Sequence, residues 1–345
     1  MQTGKRSRRL RAHILRPPAN EDWRARLAEA EAAAQEAFAS ARKLGPFGVI
    51  RGVLRLFGML AWTLLAIPVQ AVLLRLAPAT ARRFGRTYHG VLCLILGLEI
   101  RLDGAAEAHP PGRPVVFVSN HSSWLDVLAL GATLEAAFVA KAEVGTWPVI
   151  RTVARLGRTV FVSRRRAGAG REANEMAERL AAGDSLVLFP EGTTSDGTRV
   201  LPFRSALLGA LSVGTPEAGG RTAVVQPVSV VYDRLNGLPV ARKNRPTFAW
   251  YGDMEIASHA WRLATEPTAR VTVRLHPPVD PEAFASRKAL TEALFATVSE
   301  GAASLRTGRK PPGQDRPGVL AGTGLGGTGL PGPSPHHHAA SGGLA

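Results

Sequence analysis

RPVVFVSNHSSWLD, residues 113–126, passes from an apolar run into a crowd of polar side chains where a strand should give way to a helix. The apolar part, 114–118, has the length of a buried strand, and 124–132 reads as a helix. The same alternation continues downstream. Apolar runs recur at 136–140, 158–162, 185–189 and 223–231, with helical stretches at 146–156 and 170–182 between the earlier ones. Such alternation predicts an α/β domain, a sheet covered by helices. Further strands are expected at 247–251 and at 269–279, the latter stopped by Pro277 and Pro278, and a final amphipathic helix at 281–299.

Upstream the character changes twice. Residues 1–18 read as a basic arm that lacks the apolar core and cleavage site of a secretory signal. Residues 19–45 read as one amphipathic helix, with Asn20 as a cap and Gly45–Pro46 as a stop. From Leu56 to Leu74 the chain carries no charge and is flanked by Arg51, Arg55 and Arg75. As a helix this run would be roughly 28 Å long, close to the thickness of bilayer hydrocarbon. Pro68 and Gln70 within it set a helical hairpin or a half-immersed, tilted helix against a simple transmembrane span. VLCLILGLEI, 91–100, adds a shorter apolar stretch after Arg82, Arg83 and Arg86, which suit lipid phosphates. Residues 46–100 are therefore read as a membrane-associated helical region and 101–300 as the α/β domain. The glycine- and proline-rich residues 301–345, including His336 to His338, are read as a disordered low-complexity tail.

Composition narrows the function classes. A chain of 345 residues with 45% apolar residues can bury a large core, which excludes disorder throughout. The net charge of +16 draws nucleic acid, anionic lipid or acidic substrates without choosing among them. No zinc-finger spacing or aromatic platform accompanies the arginines, so no specific nucleic-acid partner is expected. Cys93 is the only cysteine, which rules out an internal disulfide and agrees with a reducing compartment.

Open α/β sheets gather ligands at the carboxyl ends of their strands. The residues there are His121 and Asp126 after the first strand, Arg164 after a later one, and Glu191 and Gly192 after the next, with Pro227 inside another. Taken alone, His121 and Asp126 also suit a capped helix start with a locally bonded histidine. A carboxylate within reach of the imidazole would fix its tautomer and leave the other nitrogen free to take a proton. No glycine-flanked serine forms a nucleophile elbow, and His121, Asp126 and Glu191 lack metal-site spacing, so direct attack by a bound substrate is the simpler chemistry.

The blocks NHSSWLD (120–126), TVFVSRR (159–165), FPEGTTSDG (189–197) and VVQPVSV (224–230) resemble, in this order, the glycerolipid acyltransferases related to 1-acylglycerol-3-phosphate acyltransferase. The resemblance implies a mixed sheet flanked by helices behind a hydrophobic membrane-anchoring segment. It makes His121 and Asp126 catalytic and gives Arg164, Glu191, Gly192, Thr193, Thr194 and Arg204 to substrate binding. It implies no cofactor beyond the acyl donor, an acyl-carrier protein or acyl-coenzyme A, and a lysolipid acceptor drawn from the bilayer at the cytoplasmic face of the bacterial inner membrane. One departure stands out. Members that form phosphatidic acid usually follow the block's threonine with arginine, whereas Thr194 stands here. The longer pattern FPEGTTSDGTRVLPFRSALL is more similar to bacterial lyso-ornithine lipid acyltransferases, which implies ornithine lipid as product. Formation of phosphatidic acid, or noncatalytic lipid binding, is the alternative.

Overall fold

The computed structural model describes residues 46–104, 113–141, 148–162, 169–212 and 223–309. The basic arm, the helix expected at 19–45, Arg164 and residues 310–345 of the expected tail lie outside the described residues, while 301–307, also expected in the tail, belong to the last helix.

Helix α1 (Pro46–Leu76) runs through Pro68 without a break. It ends where Ala77 precedes Pro78, since the residue before a proline is pushed out of the helical region. Pro78 then opens helix α2 (Pro78–Leu96), where its missing N–H costs nothing. Gly97 closes α2 in the left-handed conformation (φ 74°), and its N–H bonds to the carbonyls of Cys93 and Leu94. The run VLCLILGLEI is thus not one membrane-facing stretch. Gly97 divides it into the end of a helix and the start of strand β1 (Leu98–Asp103), which belongs to the sheet.

The remaining elements are β2 (Val115–Ser119), α3 (Leu125–Thr133), β3 (Ala137–Lys141), α4 (Pro148–Leu156), β4 (Val160–Val162), α5 (Ala169–Ala181), β5 (Leu186–Leu188), β6 (Val224–Leu235), β7 (Leu238–Pro239), α6 (Ile256–Thr265), β8 (Ala269–Leu275) and α7 (Arg287–Thr307). The sheet order is β1-β8-β6-β2-β5-β3-β4, with β7 paired to β6. Strands β6, β2, β5, β3 and β4 run parallel to one another, and β8 is antiparallel to β6, so the sheet is mixed. This common direction brings the carboxyl ends of β2, β5 and β6 to one edge, where His121, Glu191 and the end of β6 meet.

Both faces of the sheet are covered, and the alternation of β2 shows how. Val115 and Phe117 join a core with Leu92 and Leu96 of α2, Leu128 of α3 and Leu263 of α6. Val116 and Val118 point the other way, into a core with Met176 of α5 and Leu290 and Leu294 of α7. Burial on both faces explains the unbroken apolar run in the sequence. Pro227 lies inside β6, a central strand, where its carbonyl accepts from the amide of His276. Having no N–H, it cannot return that bond, and the Gln226 side chain supplies it instead, its Nε2 donating to the His276 carbonyl (2.9 Å) before the β6–β8 ladder resumes at Val228 opposite Leu275.

Two expected elements differ. Residues 247–251 form no strand: a 3-10 helix (Arg242–Thr247) leads into a loop in which Ala249 N–H bonds to Arg245 and Trp250 N–H to Ser122. The last helix begins at Arg287, where the Ser286 side chain caps it by accepting from Ala289 N–H, and runs to Thr307 before Gly308. Gly301 lets it approach the sheet, because a Cβ there would stand 2.5 Å from Ser229 Oγ.

Helices α1 and α2 pack as a hairpin, with Trp62 Nε1–H donating to the Tyr88 carbonyl (3.2 Å). Arg51 donates to the carbonyl of Thr265 (3.2 Å), and Arg55 to those of Glu266 (2.6 Å) and Pro267 (2.9 Å), where cations favour the carbonyl end of α6. Further along α1, Gln70 donates to the Leu156 carbonyl at the end of α4 (3.1 Å). From Arg51 to Gln70 is about 28 Å of helix, so α1 lies along the globular domain and is tied to it near both ends. Its other side exposes Phe47, Ile50, Leu54, Phe57, Leu64 and Leu65.

Candidate active site

The loop between β2 and α3 is held from several directions. Asn120 clamps the main chain of Val230: its Nδ2 donates to the carbonyl (2.9 Å) and its Oδ1 accepts from the amide (2.8 Å). The asparagine is therefore a bridge to β6 and not a helix cap. Trp124 occupies the cap position without a side-chain capping bond, and its indole donates to His259 Nδ1 (3.1 Å). Asp126 instead reaches back over the loop that precedes the helix, and its Oδ2 accepts from the N–H groups of Ser122 (2.7 Å) and Ser123 (2.9 Å). One carboxylate both shapes the turn and faces the imidazole.

His121 Nδ1 lies 2.8 Å from the same Asp126 oxygen. Nδ1 must carry the proton to bond a carboxylate, so Nε2 presents its lone pair. The Asp126 side chain is fully buried, whereas that of His121 retains 18% exposure, which suits a base that meets a substrate. The imidazole stacks on Phe189, with ring centroids 4.0 Å apart. Asp126 Oδ1 accepts from the Tyr232 hydroxyl at 2.6 Å, and the Tyr232 ring stacks on Phe248. Burial and the neighbouring Asp126 carboxylate push the Tyr232 phenol well above its usual range, which keeps it a donor. Sequence reading missed Tyr232 because a tyrosine in a run of buried strand residues reads as core. Its partner Asp126 lies 106 residues away, so nothing local in the sequence marks it.

Glu191 was expected at the substrate. It is 2% exposed, and its oxygens accept from the main-chain amides of His121 (2.7 Å) and Leu201 (3.0 Å). The Ser195 amide also bonds to the His121 carbonyl (2.9 Å). The third block is thus a brace that holds the histidine's main chain on both sides. Burial pushes the Glu191 carboxyl up to about 8, against the pull of its two amide bonds toward the charged form. A folded-state value above the ordinary carboxylate means that stability is fullest below about 4.5 and is lost as the pH rises through about 8. The Glu191→Gln variant should lack that loss: its melting temperature relative to the parent rises across this window, and parallel melting profiles would rule the assignment out.

Gly192 adopts φ 68°, and a Cβ there would meet the Arg204 side chain at 3.3 Å. Arg204 is exposed and lies along this glycine, beside half-buried Thr193 and Thr194. The structure therefore gathers His121, Asp126, Glu191, Gly192, Thr193, Thr194 and Arg204 at one sheet edge, while Arg164 lies outside the described residues.

The Acyltransferase family model matches residues 101–231, the stretch that carries these blocks. The chain is 41% identical over 266 residues to a lyso-ornithine lipid O-acyltransferase of Brucella abortus, covering 77% of this chain and 98% of the relative. A protein of the same description from Rhizobium meliloti is 36% identical over 233 residues, covering 67% and 79% of the two chains. The crystal structure of the 1-acyl-sn-glycerophosphate acyltransferase of Thermotoga maritima shares the fold, with a TM-score of 0.55 and 20% identity over 75% of this chain and 97% of that one. With the histidine–aspartate pair assembled and near-full-length coverage of a relative at 41% identity, this chain is an enzyme that belongs to the acyltransferase family.

Proposed function

We propose that the enzyme transfers a fatty acyl group from an acyl thioester to the hydroxyl of lyso-ornithine lipid, forming ornithine lipid. The observation that carries this reading is the match to nearly the whole length of the Brucella abortus relative, which bears that acceptor in its description. Thr194 agrees with it. An arginine at that place would give a phosphate a charged, forked partner worth about 1.5–3 kcal/mol per hydrogen bond, which a threonine cannot supply.

In this mechanism His121 Nε2 takes the proton of the acceptor hydroxyl while Asp126 steadies the imidazolium through Nδ1. The oxygen attacks the thioester carbonyl, the C–S bond breaks, and the imidazolium returns its proton to the departing thiolate. Arg204, whose side chain runs along Gly192, is read as the group that faces negative charge on substrate. Acyl-carrier protein and acyl-coenzyme A both fit this chemistry as donors. The apolar side of α1 is read as resting in one leaflet at the cytoplasmic face of the inner membrane. α1 is long and apolar enough to cross a bilayer, but its ties near Arg51 and Gln70 support a helix lying in the plane.

The test is a purified-enzyme assay with lyso-ornithine lipid and lysophosphatidic acid in separate reactions, each with both thioester donors, read by product mass. Conversion of lyso-ornithine lipid is expected. Exclusive conversion of lysophosphatidic acid overturns the acceptor assignment.

A further inference from the structure

Behind the catalytic loop, at the same sheet edge, lies a cavity of about 290 Å³. Asn120, Ser122 and Tyr232 contribute to its wall, so it shares residues with the loop that holds the histidine–aspartate pair. Five arginines line it, namely Arg199, Arg234, Arg245, Arg270 and Arg306, against two aspartates, Asp196 and Asp233. Arg270 is matched by a two-pronged ion pair with Asp233. Arg234 donates to the Gly237 carbonyl, and Asp196 spends one oxygen on the amide and hydroxyl of Thr198. Four guanidinium groups therefore face a single remaining carboxylate.

This concentration of like charge has no structural purpose in view. The four not matched by Asp233 come from four segments: just past the third block, the end of β6, the 3-10 helix at 242–247 and the last turn of α7. Arg306 suits the carbonyl end of its helix, but a helix dipole does not call for Arg245 beside it. Burial and then the nearby Arg245 lower the pKa of Arg306, against the opposite pull of Asp196. Arg245 and Arg306 are partly buried and Arg199 and Arg234 exposed, and a concave surface lined by several such cations focuses a positive potential and selects an anion. Its Val231, Phe248 and Leu305 give it an apolar side as well.

We propose that this cavity is a subsite for an oxyanion, a carboxylate or a phosphate, carried by a substrate of the acyl transfer. The proposal rests on the acyltransferase reading, and the lyso-ornithine assignment makes the acceptor the source: an ornithine headgroup acylated on nitrogen keeps its carboxylate. A headgroup seated there lies against Tyr232, the residue that donates to Asp126.

The test uses Arg245→Ala, Arg306→Ala and the conservative Arg245→Lys, with Arg242→Ala, an exposed arginine of the same 3-10 helix, as control. Whichever lysolipid the parent enzyme converts is titrated at saturating donor, the donor is titrated at saturating acceptor, and inorganic phosphate is added as a competitor. The alanine variants should raise KM for the acceptor roughly 10- to 100-fold while kcat changes little. The lysine variant should recover part of the loss, and phosphate should compete with acceptor in the parent only. A rise in the donor's KM instead keeps the oxyanion subsite and overturns its assignment to the acceptor. Unchanged KM values in alanine variants that melt like the parent, with no competition by phosphate, overturn the subsite itself and leave the choice of acceptor lipid untouched.

Discussion

Replacing His121 by alanine is expected to lower kcat by about 10²- to 10⁴-fold, the range supplied by a positioned general base. The fold should survive, because the loop's ties to Glu191, Ser195 and Val230 use main-chain atoms of His121 and the side chain of Asn120. The side chain itself contributes a stack on Phe189, and loss of such a contact costs about 0.5–1.5 kcal/mol. Turnover, thermal melting and cosedimentation with vesicles measured on one preparation separate these effects. Retained turnover removes His121 as the base, and a noncatalytic lipid-binding role becomes the better reading.

Asp126→Asn should cost on the order of 10³-fold in kcat with little change in structure. The geometry explains why the substitution can be read cleanly. Asp126 Oδ2 serves three donors, His121 Nδ1 and the amides of Ser122 and Ser123, and Oδ1 serves the Tyr232 hydroxyl. Asparagine can keep its oxygen toward the three donors and turn its amide toward Tyr232, because a hydroxyl accepts as readily as it donates. What disappears is the negative charge that steadies the imidazolium. Combining this change with His121→Ala should add almost nothing further, since residues that act as a unit are not additive. Multiplying losses in the double variant would show that the two side chains act independently.

The α/β pattern and the contact between His121 and Asp126 were legible because both are local. Hydrophobic runs mark strands, and five positions separate His121 from Asp126. What escaped was set by distant partners. Gly97 cut an apolar run in two because β1 had β8 to pair with. Residues 247–251 look like a strand but are held by Ser122 and Arg245. Tyr232 and the arginines of the cavity gain their meaning only from neighbours far along the chain. Glu191 was found by its motif, but its work as a brace on His121 shows only in the bonds it makes.

The ties on the catalytic loop also bear on biosynthesis. His121 and Asp126 emerge from the ribosome almost together, yet Glu191 follows 70 residues later, Tyr232 106 residues after Asp126, and Val230 110 residues after Asn120. A nascent chain therefore carries the acid–base pair long before anything aims it, and contacts of such long range form late in folding. A half-made enzyme does not yet hold an oriented base, so it is poorly equipped to spend thioesters on water. By the same token, turnover reports the closure of the sheet around β2, β5 and β6, and heat should abolish it no later than the tertiary structure melts.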